Sequence, residues 1–227
     1  MSKKHFALIL SGCGHLDGAE ITEATTLNIA LSKAGIEVSF YAPDRLQTDT
    51  INHLNGEIEG DERNIMQEAA RIARGKIAPI AKLDLDSVDG IALAGGFGVI
   101  KNFTNFIDKG EEATLSADIG EKLKKAIEMR KPIIAICAAP MAIAIALKEL
   151  EIKDASITFG QAKNAGAFLP ALKAWGITHI ETATTDAHCD NNYPIITGGA
   201  YMDGEATPYE IYQGALATVD AYQKVGE

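Results

Sequence analysis

The chain has 227 residues, 47% of them apolar and 23% charged, which suffices to bury the core of one α/β domain over residues 1–227. A formal charge of -10 argues against a nucleic-acid or anionic-membrane partner, because phosphates select clustered Lys and Arg. The three cysteines form no CxxC pair and no spacing suited to zinc or to a disulfide framework, which points to reduced thiols in a cytoplasmic protein.

At the N-terminus, Lys3 and Lys4 precede a short apolar stretch that stops before Gly12, with no cleavage-type segment after it. It reads as a first strand over 6–10. No apolar run reaches the roughly 18 residues of a membrane span. Ile21, Ala24, Leu27, Ala30, Leu31 and Ala34 recur at helical spacing, so 20–34 is a helix closed by Gly35. A second strand follows over 36–41. This β-α-β opening implies a parallel sheet and a right-handed crossover.

The polar segment 44–61 reads as an excursion from that sheet, leading to a helix over 62–74. A buried strand over 88–94 then meets the turn Gly95-Gly96-Phe97-Gly98. A helix over 116–130 and a strand over 132–136 lead to Cys137, and Pro140 opens the next helix, where its missing N–H is tolerated. Further strands are predicted over 156–159, 179–184 and 194–197, with helices over 169–175 and 208–224. The alternation predicts a doubly wound, mostly parallel sheet with helices on both faces.

Three turns follow carboxyl ends of parallel strands: Gly12-Cys13-Gly14, the Gly95 turn, and Cys137-Ala138-Ala139-Pro140. Ligands bind at that edge of open α/β sheets. Cys137 sits where a strand reverses into a helix, as in a nucleophile elbow, and free N–H groups at a helix start lower a thiol's pKa. Glu20 and Glu23 follow the Cys13 turn, one turn apart on a helix. Either could partner the thiol, and spacing alone does not choose between them. Gly95 and Gly96 can bring N–H groups close to a ligand oxygen, although GGFGVI lacks a dinucleotide fingerprint. His179 is a candidate proton shuttle. His15, His53 and His188 fall in turns and loops and receive no role, and Cys189 is placed in the polar turn HCDNNY.

The segments SGCGHLDGAEITEA, INHLNGE, ERNIMQEAARIARGKI, GGFGVIKNF, KPIIAICAAP and ITGGAYM run in order from Ser11 to Met202. With them the chain resembles the ElbB-like proteins, described as isoprenoid-biosynthesis proteins with an amidotransferase-like domain, of the PfpI and class I glutamine-amidotransferase-like superfamily. The resemblance implies a flavodoxin-like three-layer sandwich, commonly a homodimer, with Cys137 as elbow cysteine and Glu23 rather than Glu20 as its acid. It implies Gly96 and Ala138 N–H groups as oxyanion donors, and lays His179 loosely against a histidine of glyoxalase-active relatives. Ala138 stands where PfpI-type proteases carry His, which argues against proteolysis. Neither the GxCxG elbow nor the C-terminal His-x-Glu of glutaminases is present; His179-Ile180-Glu181 lies too close after Cys137 to supply the latter. Ala94 replaces the family's usual Pro before the double glycine.

The function so implied is a cysteine-dependent glyoxalase-type lyase acting on a small aldehyde or dicarbonyl such as glyoxal, with no glutathione, cofactor or metal. The alternative is a dimeric regulatory protein whose Cys137 senses oxidants or electrophiles.

Overall fold

A computed structural model describes residues 3–225. The opening unit is β1 (His5–Ile9), α1 (Ile21–Lys33) and β2 (Glu37–Ala42). Phe6, Ala7, Leu8 and Ile9 are buried on both faces of β1, as the unbroken apolar run requires in a parallel sheet. Glu20 caps α1, its Oε2 accepting the Glu23 N–H at 2.7 Å. Gly35, at φ 75, ends the helix in the left-handed region.

The excursion over 44–61 contains a small antiparallel hairpin, β3 (Thr50–Ile51) and β4 (Ile58–Glu59), outside the main sheet. It is followed by α2 (Ile65–Ile72), capped by Asn64, and by β5 (Ile77–Pro79). After β6 (Gly90–Leu93) comes a π-helical turn, Val99–Phe103, then the short α3 (Phe106–Lys109) and α4 (Ala117–Glu128). β7 (Ile133–Ile136) enters α5 (Pro140–Glu149) through the Cys137 turn. Next come β8 (Ser156–Ile157), α6 (Ala162–Ala165), α7 (Leu169–Trp175) and β9 (Thr178–His179). The chain then forms β10 (Ala187–Cys189), β11 (Ile195–Gly198) and α8 (Pro208–Val225).

The sheet order is β10-β11-β7-β6-β1-β2-β5, parallel except where β10 runs against β11. Helices α1 and α8 pack together, as do α4 and α5, and the sheet lies between the two layers. Tyr222 of α8 meets the Phe6 ring edge-on at 4.9 Å. This is the mostly parallel sheet with helices on both faces that the element pattern predicts, and the flavodoxin-like sandwich that the resemblance implies. Ile9 pairs with Leu93, Leu93 with Ala135, and Gly198 with Ile136. Four strand ends are therefore level, and the turns that follow them emerge side by side.

The predicted strand over 179–184 is corrected. Only Thr178 and His179 are extended, and they pair with β8 in a separate two-stranded sheet. The place beside β11 belongs to β10, so His188 and Cys189 lie in a strand and not in a loop. Both missed edge strands, β5 and β10, are three residues long and half-buried, which leaves no apolar alternation to read.

Asp190 ties this late region together. It is buried and accepts from Ser156 N–H and Oγ, Asn192 N–H and Tyr193 N–H, at 2.6 to 2.7 Å. Asp190→Ala orphans these donors and is expected to cost about 2 to 3 kcal/mol in a urea unfolding curve. A loss within about 0.5 kcal/mol, the size of an ordinary surface substitution, would show that the knot contributes nothing.

Candidate active site

Cys137 occupies a left-handed backbone conformation, φ 58, between the end of β7 and the start of α5. A side chain bearing a Cβ avoids that region at a cost on the order of 1 to 2 kcal/mol, so the surrounding structure imposes it. Its N–H donates to Gly198 O at 2.9 Å, pinning the elbow to the end of β11. Small Ala138 and Ala139 allow the reversal, and Pro140 starts the helix.

Behind the sulfur lies Glu23, with none of its surface exposed. Its Oε1 accepts the Tyr201 N–H at 3.0 Å and its Oε2 the Gly95 N–H at 3.1 Å, and the Cys137 side chain packs beside it across Gly95. Glu20, one turn earlier, is the helix cap, with its side chain at the wall of the neighbouring cavity. The two carboxylates left open by spacing thus have separate places. One is buried against the thiol and the other terminates the helix.

Gly95 makes this contact possible. A Cβ there would lie 2.5 Å from Cys137 Cβ, 2.7 Å from Glu23 Oε2 and 2.9 Å from the Ala138 nitrogen. Gly96, at φ 97, has the backbone of Gly18 and Glu20 where its Cβ would be. The N–H groups of Gly96 and Ala138 both point at the Cys137 sulfur. They form a two-donor cradle beside the thiol.

Burial pushes the Glu23 carboxyl up to about 7, opposed by the Cys137 thiol and by the bonds from Tyr201 and Gly95. Burial also pushes the Cys137 thiol well above its ordinary value; the Glu23 charge adds to this, and the Gly96 and Ala138 N–H groups oppose it. The expectation of a lowered thiol pKa is therefore corrected. Helix-start donors are present, but desolvation and an adjacent carboxylate outweigh them. Below about pH 7 the pair carries two protons, and above it a single one that rests on the thiol or the carboxyl.

The thiol opens on a cavity of about 910 Å³. Gly96 and Ala138 line it, as do His15 and Glu20 from the β1 loop and the cap of α1. His179 does not. Its Nε2 accepts the Phe159 N–H at 3.1 Å, its ring stacks on Phe159, and burial lowers its pKa. His179 fastens β9 to the chain leaving β8.

His15 was missed because a lone histidine in a glycine turn carries no periodic signal. Its position is backed by the excursion: His53 lies edge-on to it at 5.1 Å and accepts the Leu16 N–H at 3.2 Å. Asp17, buried, accepts the Ile51 N–H at 2.7 Å, and Asn102 donates to Ser11 O and Asp17 O while accepting the Thr48 N–H. The excursion thus braces the β1 loop that carries His15. Among the described residues no group of three or more His, Cys, Asp and Glu is arranged to hold a metal ion, and no helix is long and apolar enough to cross a membrane.

The chain is 37% identical over 220 residues to the human glutamine amidotransferase-like class 1 domain-containing protein 3, mitochondrial, covering 94% of this chain and 80% of that protein. It belongs to that glutamine amidotransferase-like, ES1 family. The rat ES1 protein homolog is also 37% identical with the same coverage, and the zebrafish ES1 protein is 30% identical over 208 residues, 87% of this chain and 77% of that one. No family model matches. A crystal structure of an isoprenoid biosynthesis protein with an amidotransferase-like domain from Ehrlichia chaffeensis superposes with a TM-score of 0.89 at 28% identity, covering 99% of this chain and 100% of that one. Drosophila melanogaster DJ-1beta shares the fold, with a TM-score of 0.53 at 17% identity over 99% of this chain and 96% of that one. The expectation of a cytoplasmic protein is overturned by these relatives, since the human, rat and zebrafish proteins are all named as mitochondrial. Unpaired thiols argue against an oxidising compartment but do not choose among reducing ones.

Because Glu23 is raised from 4.5 to about 7, the folded state binds that proton more tightly than the unfolded chain does. Stability therefore falls as pH rises from about 4.5 to about 7 and levels off above, a loss of about 3 kcal/mol. Urea unfolding across that window is expected to show this slope in the parent and a shallower one in Glu23→Gln. Equal slopes would place the proton elsewhere.

Proposed function

We propose that the chain is a cysteine-dependent glyoxalase-type enzyme that converts a 2-oxoaldehyde and water to a 2-hydroxy acid, as glyoxal to glycolate. The observation that carries this reading is a thiol set against a buried carboxyl, with the Gly96 and Ala138 N–H groups beside it, at the wall of an open cavity.

As Cys137 attacks, its proton passes to Glu23 and a bond forms between sulfur and the aldehyde carbon. The Gly96 and Ala138 N–H groups receive the resulting oxyanion. The proton on that carbon must then move to the neighbouring carbonyl carbon through an enediol. Glu23 does not line the cavity, so this transfer falls to a wall group, and His15, Glu20 and Tyr201 are the titratable wall groups besides the thiol. The aldehyde carbon is oxidised to a thioester and its neighbour reduced to a carbinol, with no external oxidant. Water cleaves the thioester, releasing the acid and restoring the thiol. A peroxide-sensing role needs a thiolate at rest, and burial beside Glu23 favours the neutral thiol.

Attack requires the form of the pair that carries a single proton, which appears as pH rises through about 7. With glyoxal or methylglyoxal, kcat/KM is expected to climb through that pH, and Cys137→Ser to abolish hydroxy-acid formation. Glu23→Gln is expected to lower kcat by roughly a hundredfold or more and to remove the inflection. His179→Asn leaves turnover intact. Absence of turnover in the parent protein, or its persistence in Cys137→Ser, would refute the assignment.

A further inference from the structure

The cavity is far larger than glyoxal. At about 910 Å³ it has room for about thirty waters at liquid density, whereas a dialdehyde of four heavy atoms displaces only two or three. Its volume falls among sites that enclose drug-sized ligands, about 300 to 1,000 Å³.

Its walls are mainly apolar, with Asn164 and Tyr201 among the polar exceptions. Phe97, Ile100, Phe106, Ile107, Phe168 and Met202 line it, and Phe97 and Ile107 expose 52% and 60% of their surface at its rim. Phe106 meets Phe168 edge-on at 5.7 Å, and Phe168 packs on Phe159 at 4.9 Å, so this aromatic wall is fixed from behind. The Phe97 backbone is held by its N–H bond to His15 O at 2.8 Å. No Lys or Arg lines the space, and its one acidic wall residue, Glu20, repels anions. A phosphorylated or carboxylated substrate would find no fixed positive charge there to pair with.

We infer that the preferred substrate is a neutral 2-oxoaldehyde whose ketone carries a bulky apolar group, aryl or long alkyl, lying against the Phe106 and Phe168 wall. This rests on the proposed glyoxalase reading for its chemistry, but its size and polarity come from the cavity alone. The chemical step is unchanged: phenylglyoxal and water give mandelate, one carbon oxidised and its neighbour reduced. The product gains a negative charge beside Glu20, which favours its release.

Two measurements separate the inference from the reading it rests on. The first compares kcat/KM for phenylglyoxal and methylglyoxal. Burying the ring is expected to favour phenylglyoxal by at least about tenfold, and Ile107→Ser to reduce that ratio. The second needs no turnover: 2-hydroxyacetophenone and hydroxyacetone, neutral ketones without the aldehyde, are titrated for protection of Cys137 against iodoacetamide. The aryl ketone is expected to protect at a concentration about tenfold lower. Equal protection, or methylglyoxal matching phenylglyoxal, would overturn the bulky-substrate inference while leaving glyoxalase chemistry standing. Selective aryl protection with no dicarbonyl turned over would sustain the ligand class and sink the reaction.

Discussion

A carboxyl group with no exposed surface is held against a thiol, and much of the site's architecture follows from that contact. Burying Glu23 without partners would be prohibitive. Its partners come from three separate strand ends: the Gly95 N–H after β6, the Cys137 thiol after β7 and the Tyr201 N–H after β11. Each donor is remote in sequence from α1, and level strand register brings them together. The same register brings the Gly96 and Ala138 N–H groups to the sulfur.

Two local constraints let the strands converge so closely. Gly95 has no Cβ to separate the β6 turn from the elbow, and Cys137 accepts a left-handed backbone so that its sulfur points out of the sheet's edge. Around this centre, Asn102 and Asp17 lock the β1 loop to the π-helical turn and to the excursion. The excursion is therefore a buttress for one cavity wall. Its hairpin carries Leu54 almost wholly exposed at the tip.

Much of this is legible in the sequence, for reasons that differ by element. The strands β1, β6 and β7 are uninterrupted apolar runs because both faces are covered, and Cys137 stands out because a strand meets Pro140 three residues later. The short edge strands β5 and β10 escape because half-buried three-residue segments carry no period. Choosing Glu23 over Glu20 required the motif resemblance, since both occupy the start of one amphipathic helix, and only tertiary contacts separate a cap from a buried acid. The thiol's pKa was misjudged for the same reason: a helix start is visible in sequence, whereas desolvation and the reach of a carboxylate depend on packing. His179 shows the converse, a histidine whose apparent place after an inserted helix says nothing of its side-chain partner, the Phe159 N–H.

The chemistry of the site turns on the proton of the Glu23 carboxyl, and carbon-13 NMR of that carboxyl reports it directly. A titration midpoint at about 7 is predicted, moving upward in Cys137→Ala, because the thiol opposes the effect of burial. A midpoint near the ordinary 4.5, or one indifferent to the loss of the thiol, would contradict it.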